Sequence, residues 1–317
     1  MPETSVSVVI PVYNSASTLN VLVSQICATL QEISFEILLV DDHSNDNSWS
    51  IVQKLARENS HVLGIRLATN SGQHAALLAG VRNASSPIIV TADDDLQNPP
   101  SCIPLLLNAL SPDVDVVYGV SADTKQNFFR RTSSKITRKF LSNALEFESA
   151  VSMSSFRAFR TVLRKGFDTE LGPNVALDAL LTWSTTRFIT VDVKHDMRKV
   201  GKSSYTAGKL IRFMIDMTSG FSTRPLRVAS SLGCVTFICG ALLLAFVVGR
   251  PILTEERVEG FQMLASTIII FSGVQLFLLG ILGEYIGRIH FRVMNKPTYL
   301  ISETTSQKYV PNPPLQL

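Results

Sequence analysis

At 317 residues and 46% apolar content, the chain has room for one full-sized α/β domain plus a smaller part, and its positive mean hydropathy argues against an ordinary soluble enzyme. A net charge of +3 is too modest to mark a nucleic-acid-binding protein. The four cysteines, Cys27, Cys102, Cys234 and Cys239, have no metal-like spacing outside the apolar segments and point to neither disulfides nor zinc.

The N-terminal apolar run Val6–Ile10 is too short for a signal peptide, has no basic stretch before it, and reads as a first strand. From there β-branched runs alternate with helix-like stretches: strand 6–12, helix 16–29, strand 36–40, helix 48–58, strand 62–67, helix 73–83 and strand 88–92. Such alternation predicts a parallel sheet covered by helices on both faces. Ligands bind such sheets at the carboxyl ends of the strands, where the strand order reverses. Polar clusters follow three of these strands directly: Tyr13-Asn14, Asp41-Asp42-His43-Ser44 and Asp93-Asp94-Asp95. Three strand ends are therefore expected to converge on one crevice.

Beyond Ser121 the pattern loosens. A basic stretch, Lys125–Lys139, holds six cations and no acid, and overlaps a helix expected over 128–143. A segment around Ser154–Arg157, a helix over 175–183 and a strand over 188–193 follow, and this half is expected to cover the crevice. Between Lys194 and Arg227 stand eight basic residues against two acids, so both basic regions are candidate faces for phosphates. Residues 205–221 mix Leu210, Ile211, Phe213 and Met214 with Lys209 and Arg212, as an interfacial helix would.

Two charge-free runs come next, Val228–Gly249 and Gly260–Gly283, of 22 and 24 residues. At about 1.5 Å per residue each is long enough to cross a hydrocarbon layer about 30 Å thick. Arg224 and Arg227 precede the first run, while Arg288, Arg292 and Lys296 follow the second, a distribution that predicts both termini in the cytoplasm. The organisation expected is an α/β domain over 1–204, juxtamembrane amphipathic helices over 205–226, membrane helices at 227–250 and 260–283, and a cytoplasmic tail over 284–317. Gly273, Gly280, Gly283 and Gly287 would permit close helix packing in a homo-oligomer.

Among the polar clusters, Asp93-x-Asp95-x-Gln97 carries the most chemistry. Clustered carboxylates repel one another unless a cation compensates, and hard oxygen ligands suit Mg²⁺ or Mn²⁺ bridging to substrate phosphates. Asp42 is expected at a nucleobase, with Asp46 or Ser48 capping the following helix. Asn70-Ser71-Gly72-Gln73 either presents backbone N–H groups to a phosphate or serves as a plain turn and cap.

The runs Val9-Ile10-Pro11-Val12-Tyr13-Asn14, Val40-Asp41-Asp42-His43-Ser44, Asn70-x-Gly72-Gln73-His74 and Asp93-x-Asp95-Leu96-Gln97-Asn98-Pro99-Pro100 resemble family 2 glycosyltransferases of the GT-A fold. With Gly201-Lys202-Ser203-Ser204-Tyr205, Phe221–Arg227 and Gly283–Arg288, the resemblance extends to polyprenyl-phosphate glycosyltransferases with two terminal membrane helices. It covers the chain to about Tyr299. The implied architecture is α/β: a Rossmann-like, mostly parallel sheet, then interfacial helices and a transmembrane hairpin. The resemblance implies inverting transfer from a nucleotide sugar, UDP-linked in preference to GDP-linked, to a polyprenyl phosphate at a bacterial inner membrane. GDP-mannose transfer and a non-catalytic docking subunit are the alternatives.

By the same resemblance Pro11, Tyr13, Asn14, Asp42 and Gly72 hold the nucleotide, with Asp94 beside them, and Asp93, Asp95 and Gln97 hold Mg²⁺ or Mn²⁺ and the diphosphate. Arg130, Arg131 and Arg157 meet phosphates. Arg198, Lys202 and Ser203 meet the lipid phosphate, while Asp95, Arg157 and Asp178 are the candidate catalytic residues. Many such relatives carry an Asp immediately before the Phe-Arg pair, where this chain has Ser155. A phosphate acceptor, with a second pKa of about 6, is already largely ionised at neutral pH and needs no base.

Overall fold

The computed structural model describes residues 5–121, 154–167, 176–194, 260–294 and 297–306, together with 229–231, 233–236, 238–240, 242 and 245. The helices expected over 128–143 and 205–221, and Arg130, Arg131, Arg198, Lys202 and Ser203, lie outside the described residues. The chain divides into two units, 1–206 with 295–317, and 207–294.

The first unit is built on strand β1, Ser5–Val12, which is buried from Val6 onward because it runs through the middle of the sheet. It pairs in parallel with β2 (Ser34–Asp41) on one side and β4 (Ile88–Thr91) on the other, and β2 pairs in parallel with β3 (Val62–Leu67). Helices α1 (Leu19–Leu30), α2 (Ser48–Glu58) and α3 (Gln73–Asn83) make the crossovers. A short α4 (Ile103–Ala109) leads to β5 (Val116–Ser121), β6 (Arg157–Arg160), α5 (Leu177–Ser184) and β7 (Phe188–Val193).

The two-residue period of β1 divides its side chains between two cores. Val6, Val8, Ile10 and Val12 pack with α1, α2 and α4, whereas Val9 packs with α3 and α5 on the other face. Gly80 lets α3 come close to the sheet, for a Cβ there would lie 2.3 Å from Val9 Cγ1.

With β8 spanning Ile301–Thr304, the strand order is β7-β5-β6-β4-β1-β2-β3-β8, so the order reverses between β1 and β4. The sheet is mixed, not wholly parallel: β6 is antiparallel to both β4 and β5, and β8 is antiparallel to β3. The half expected to cover the crevice thus also widens the sheet through β5, β6 and β7.

Residues 301–304, read in sequence as tail, close the β3 edge as a strand. Gly64 N–H donates to Thr305 Oγ1 at 2.8 Å and Ala68 N–H to Leu300 O at 2.8 Å. Glu303 accepts from Trp49 Nε1 at 3.0 Å and Arg66 Nη1 at 3.4 Å, and the Arg66 guanidinium lies 5.7 Å from the Trp49 ring centre. Glu303→Ala would leave the buried Trp49 indole N–H without this acceptor, a loss of about 1 kcal/mol. A melting temperature lower by about 2–4 °C in differential scanning fluorimetry is expected.

In the second unit, every described residue between 229 and 245 is helical, and α6 (Phe261–Val293) runs for 33 residues. A Cβ on Gly240 would lie 2.6 Å from Phe271 Cζ, and one on Gly233 would lie 3.4 Å from Leu278 Cδ1. As position rises from 233 to 240 its neighbour falls from 278 to 271, so the two helices pack antiparallel with glycines at the contact. Among the described residues no helix is long and apolar enough to cross a membrane; the sequence of α6 is uncharged from Phe261 to Gly283.

Candidate active site

Each of the first four strands runs into a residue with positive φ. Asn14 (φ 53°) follows β1, His43 (φ 57°) follows β2, Gly72 (φ 92°) follows β3 and Leu96 (φ 59°) follows β4. Asparagine and histidine visit this region more readily than most residues, and glycine without penalty. Leucine does not, at a cost of about 1–2 kcal/mol. Leu96 stands between Asp95 and Gln97, so the strained peptide lies within the expected metal-binding run. Strain of this kind persists where surrounding bonds overdetermine the backbone, as they do here.

Those bonds join one strand end to the next. Asp94 accepts the Tyr13 N–H at 3.2 Å and the Ser15 hydroxyl, bridging β4 and β1 where the strand order reverses. Burial pushes its carboxyl up to about 6 despite those two donors. Asn14 N–H donates to Ser44 Oγ at 3.0 Å, Asn45 N–H donates back to Asn14 Oδ1 at 2.9 Å, and Ser15 N–H donates to Ser48 Oγ at 2.9 Å. Asp46 accepts the Ser48 N–H at 3.0 Å, satisfying a donor at the start of α2 as its sequence position predicts.

Asp42, expected at the nucleobase, is 3% exposed. Its two oxygens accept the Ser71 and Gly72 N–H groups at 2.7 and 2.8 Å, so the carboxylate visibly secures the loop before α3. Burial raises its pKa, and the two amides only partly offset this. Pro11 is buried within β1, whereas Tyr13 and Asn14 are exposed at its end.

Asp93, Asp94 and Asp95 send their carboxylates to different partners. Asp93 accepts from Gln73 Nε2 at 2.7 Å and from the Ser155 hydroxyl, and Asp95 accepts the Gln97 N–H at 3.1 Å. Burial raises the Asp93 pKa. Among the described residues no group of three or more His, Cys, Asp or Glu side chains forms a metal cage. One or two carboxylates completed by substrate phosphate oxygens remain the pattern that these residues fit.

Arg157 and Asp178, expected near the chemistry, form an ion pair inside the fold. The Arg157 side chain is 1% exposed and that of Asp178 is 20% exposed. Arg157 Nε donates to Thr91 Oγ1 at 3.0 Å, Nη1 donates to Asp178, and the Tyr118 hydroxyl donates to Asp178 at 3.0 Å. Burial works against the Arg157 charge, but the adjacent Asp178 carboxylate outweighs it and holds the guanidinium ionised. Burial, reinforced by Asp178, pushes the Tyr118 phenol up, keeping it a donor. Neither Arg157, expected at a phosphate, nor Asp178, expected among the catalytic residues, has an open side chain here. Thr91, Tyr118, Gln73 and Ser15 were missed in sequence, and only Gln73 stands in a motif that could have flagged it.

Residues 7–167 match the family described as glycosyl transferase family 2. The chain belongs to this family. It is 34% identical over 307 residues to undecaprenyl-phosphate 4-deoxy-4-formamido-L-arabinose transferase of Pectobacterium atrosepticum, covering 95% of this chain and 94% of that protein. The transferase of the same name from Aeromonas hydrophila is 33% identical over 320 residues, covering 97% and 96%. Among solved structures, glucosyl-3-phosphoglycerate synthase from Mycobacterium tuberculosis, in complex with Mn²⁺, UDP and glucosyl-3-phosphoglycerate, superposes with a TM-score of 0.52 at 17% identity, covering 68% of this chain and 78% of that one. Mannosyl-3-phosphoglycerate synthase from Rubrobacter xylanophilus superposes at 0.51 and 16%, covering 72% and 75%. At these identities the likeness shows the fold, a GT-A-like mixed α/β sheet. The strand ends at the β1/β4 switch thus form the candidate active site of this family 2 glycosyltransferase.

Proposed function

We propose that this glycosyltransferase moves a sugar, with inversion, from a UDP-sugar to a polyprenyl phosphate of the undecaprenyl type at the face of a membrane. The observation that carries this reading is the convergence of Tyr13-Asn14, the Asp42-bound loop and Asp93-x-Asp95-x-Gln97 on one strand-order switch, in a chain that aligns along nearly its whole length with transferases named for undecaprenyl phosphate.

In the proposed reaction an ionised phosphate oxygen of the lipid attacks the sugar C1, and the bond from C1 to the diphosphate oxygen breaks with its electron pair leaving on the nucleotide. No proton has to be removed from the acceptor, which agrees with the absence of a carboxylate at Ser155. Asp93, Asp95 and Gln97 would hold Mg²⁺ or Mn²⁺. That cation would supply Lewis-acid neutralisation of the leaving diphosphate. Exposed Tyr13 and Asn14 would line the nucleoside, while Asp42 fixes the turn at Gly72 and Asp94 locks the two central strand ends together. Positioning of this kind can itself account for many orders of magnitude in rate. Arg130 and Arg131 would meet the donor phosphates, and Arg198, Lys202 and Ser203 the lipid phosphate, as their basic surroundings in sequence suggest.

Membrane anchoring through a hairpin of two helices has three supports. The glycine contacts at 233 and 240 describe an antiparallel pair. Leu264, Ile268, Leu276, Phe277, Ile286 and Ile289 of α6 are exposed, a density of apolar side chains that water does not favour. Because β8 joins the sheet that began with β1, the chain before and after the hairpin lies on one side of any membrane it crosses, so the number of crossings is even. Cytoplasmic termini follow from the flanking arginines.

The test is a panel of UDP- and GDP-sugars with undecaprenyl phosphate and Mn²⁺, using full-length protein in carbonate-washed membranes. A UDP-sugar is expected to yield a lipid-linked sugar with inverted anomeric configuration, and the protein is expected to pellet with the membranes. Absence of glycolipid from every donor would overturn the transfer reading, and release into the carbonate wash would overturn anchoring.

A further inference from the structure

Beyond the residues that would touch the cation or the donor, the Asp93 carboxylate is held from both sides. Gln73 Nε2 donates to Oδ1 at 2.7 Å, and the Ser155 hydroxyl donates to Oδ2. Ser155 is itself secured from below. Its carbonyl accepts the Thr91 hydroxyl at 2.6 Å, and Thr91 Oγ1 in turn accepts Arg157 Nε at 3.0 Å. Arg157 is pinned by Asp178, which Tyr118 also engages. Phe156, fully buried, anchors the next residue in the core. A continuous chain of hydrogen bonds therefore runs from Tyr118 to the carboxylate, and its last link is a hydroxyl.

We propose that Ser155 is a positioning residue which, with Gln73, aims the Asp93 carboxylate at a divalent cation. The proposal rests on the metal reading above. A serine can donate to an ionised carboxylate without adding charge, whereas an aspartate there would set a second anion against Asp93. With one lone-pair direction on each oxygen occupied, the rotamer is fixed and the remaining lone pairs keep a defined direction. Residues that orient ligands in this way typically alter metal affinity by about 10–100-fold when removed. Gln73 extends the arrangement toward the donor side, because it follows Gly72, whose N–H is bound to Asp42. The Asp42 loop and the Asp93 carboxylate are thereby joined through two consecutive residues.

The experiment is a Mn²⁺ titration of the full chain in detergent with UDP present, followed by the electron paramagnetic resonance signal of free Mn²⁺. Melting temperature in EDTA reports the fold separately. Ser155→Ala is expected to weaken Mn²⁺ binding about 10-fold at an unchanged metal-free melting temperature, and Ser155→Thr, which keeps the hydroxyl, to restore it. Gln73→Ala alters an exposed side chain on the other oxygen and is expected to weaken binding as well, so the proposal stays testable should Ser155→Ala fail to fold. Parent-like Mn²⁺ affinity in Ser155→Ala, or in Gln73→Ala if that variant alone folds, would overturn it, as would failure of Ser155→Thr to rescue. If the parent chain binds no Mn²⁺, the metal reading itself falls.

Discussion

Asp178→Ala is expected to lower the melting temperature of the metal-free protein by on the order of 10 °C, the largest stability effect of any single change considered. The substitution leaves the Arg157 guanidinium, 1% exposed, without its carboxylate partner. Removing one member of a buried ion pair typically costs about 3–5 kcal/mol, because the other charge stays desolvated. In a unit of roughly this size each kcal/mol shifts melting by about 2–4 °C. Tyr118 loses its acceptor at the same time, adding a buried hydroxyl without that bond. The double variant Arg157→Met with Asp178→Leu is expected to recover most of the loss, since an apolar pair has no desolvation penalty to offset. Scanning calorimetry of the single and double variants checks both statements, and a double variant no more stable than Asp178→Ala would refute the ion-pair account.

Local periodicity marks some elements of this fold and leaves others, with that pair, unmarked. Strands 62–67 and 188–193 and helices 48–58 and 73–83 agree with the structure to the residue, because each is marked by its own period and by punctuation such as Asn70-Ser71-Gly72. α4, β5, β6 and β8 were not expected. β6 and β8 have four residues each, too few for an alternation to show, and each exists because a distant partner offers a ladder: β4 and β5 for one, β3 for the other. The site has the same division. Tyr13, Asn14, Asp42 and the three aspartates were identifiable because they follow strands directly, and Gly72 because it stands in the run Asn70-Ser71-Gly72-Gln73. That Asp94 turns toward Ser15, that Asp93 is held by Gln73 and Ser155, and that Arg157 faces inward to Asp178 depend on side-chain directions set across 20 to 81 residues of chain.

The three adjacent aspartates are consequently three different devices, and this difference selects the residue whose charge chemistry should depend on most. Asp94 bridges two strands and Asp93 is gripped at both oxygens, so substitutions there disturb structure as well as charge. Asp95 accepts the Gln97 N–H through Oδ1, a bond that an asparagine can also accept. Asp95→Asn therefore retains the turn at Leu96 while removing one negative charge from the place where a cation and a diphosphate are proposed to meet. Turnover is expected to fall by at least about 10²-fold, the scale of losing one preorganised electrostatic contact to a developing charge. The metal-free melting temperature is expected to stay level or rise slightly, because one repulsive charge leaves a half-buried cluster. Single-turnover transfer from the productive donor, measured across a Mn²⁺ series, separates the possible causes. A deficit that high Mn²⁺ partly restores marks lost cation affinity, and an undiminished rate at every Mn²⁺ concentration would remove Asp95 from the reaction.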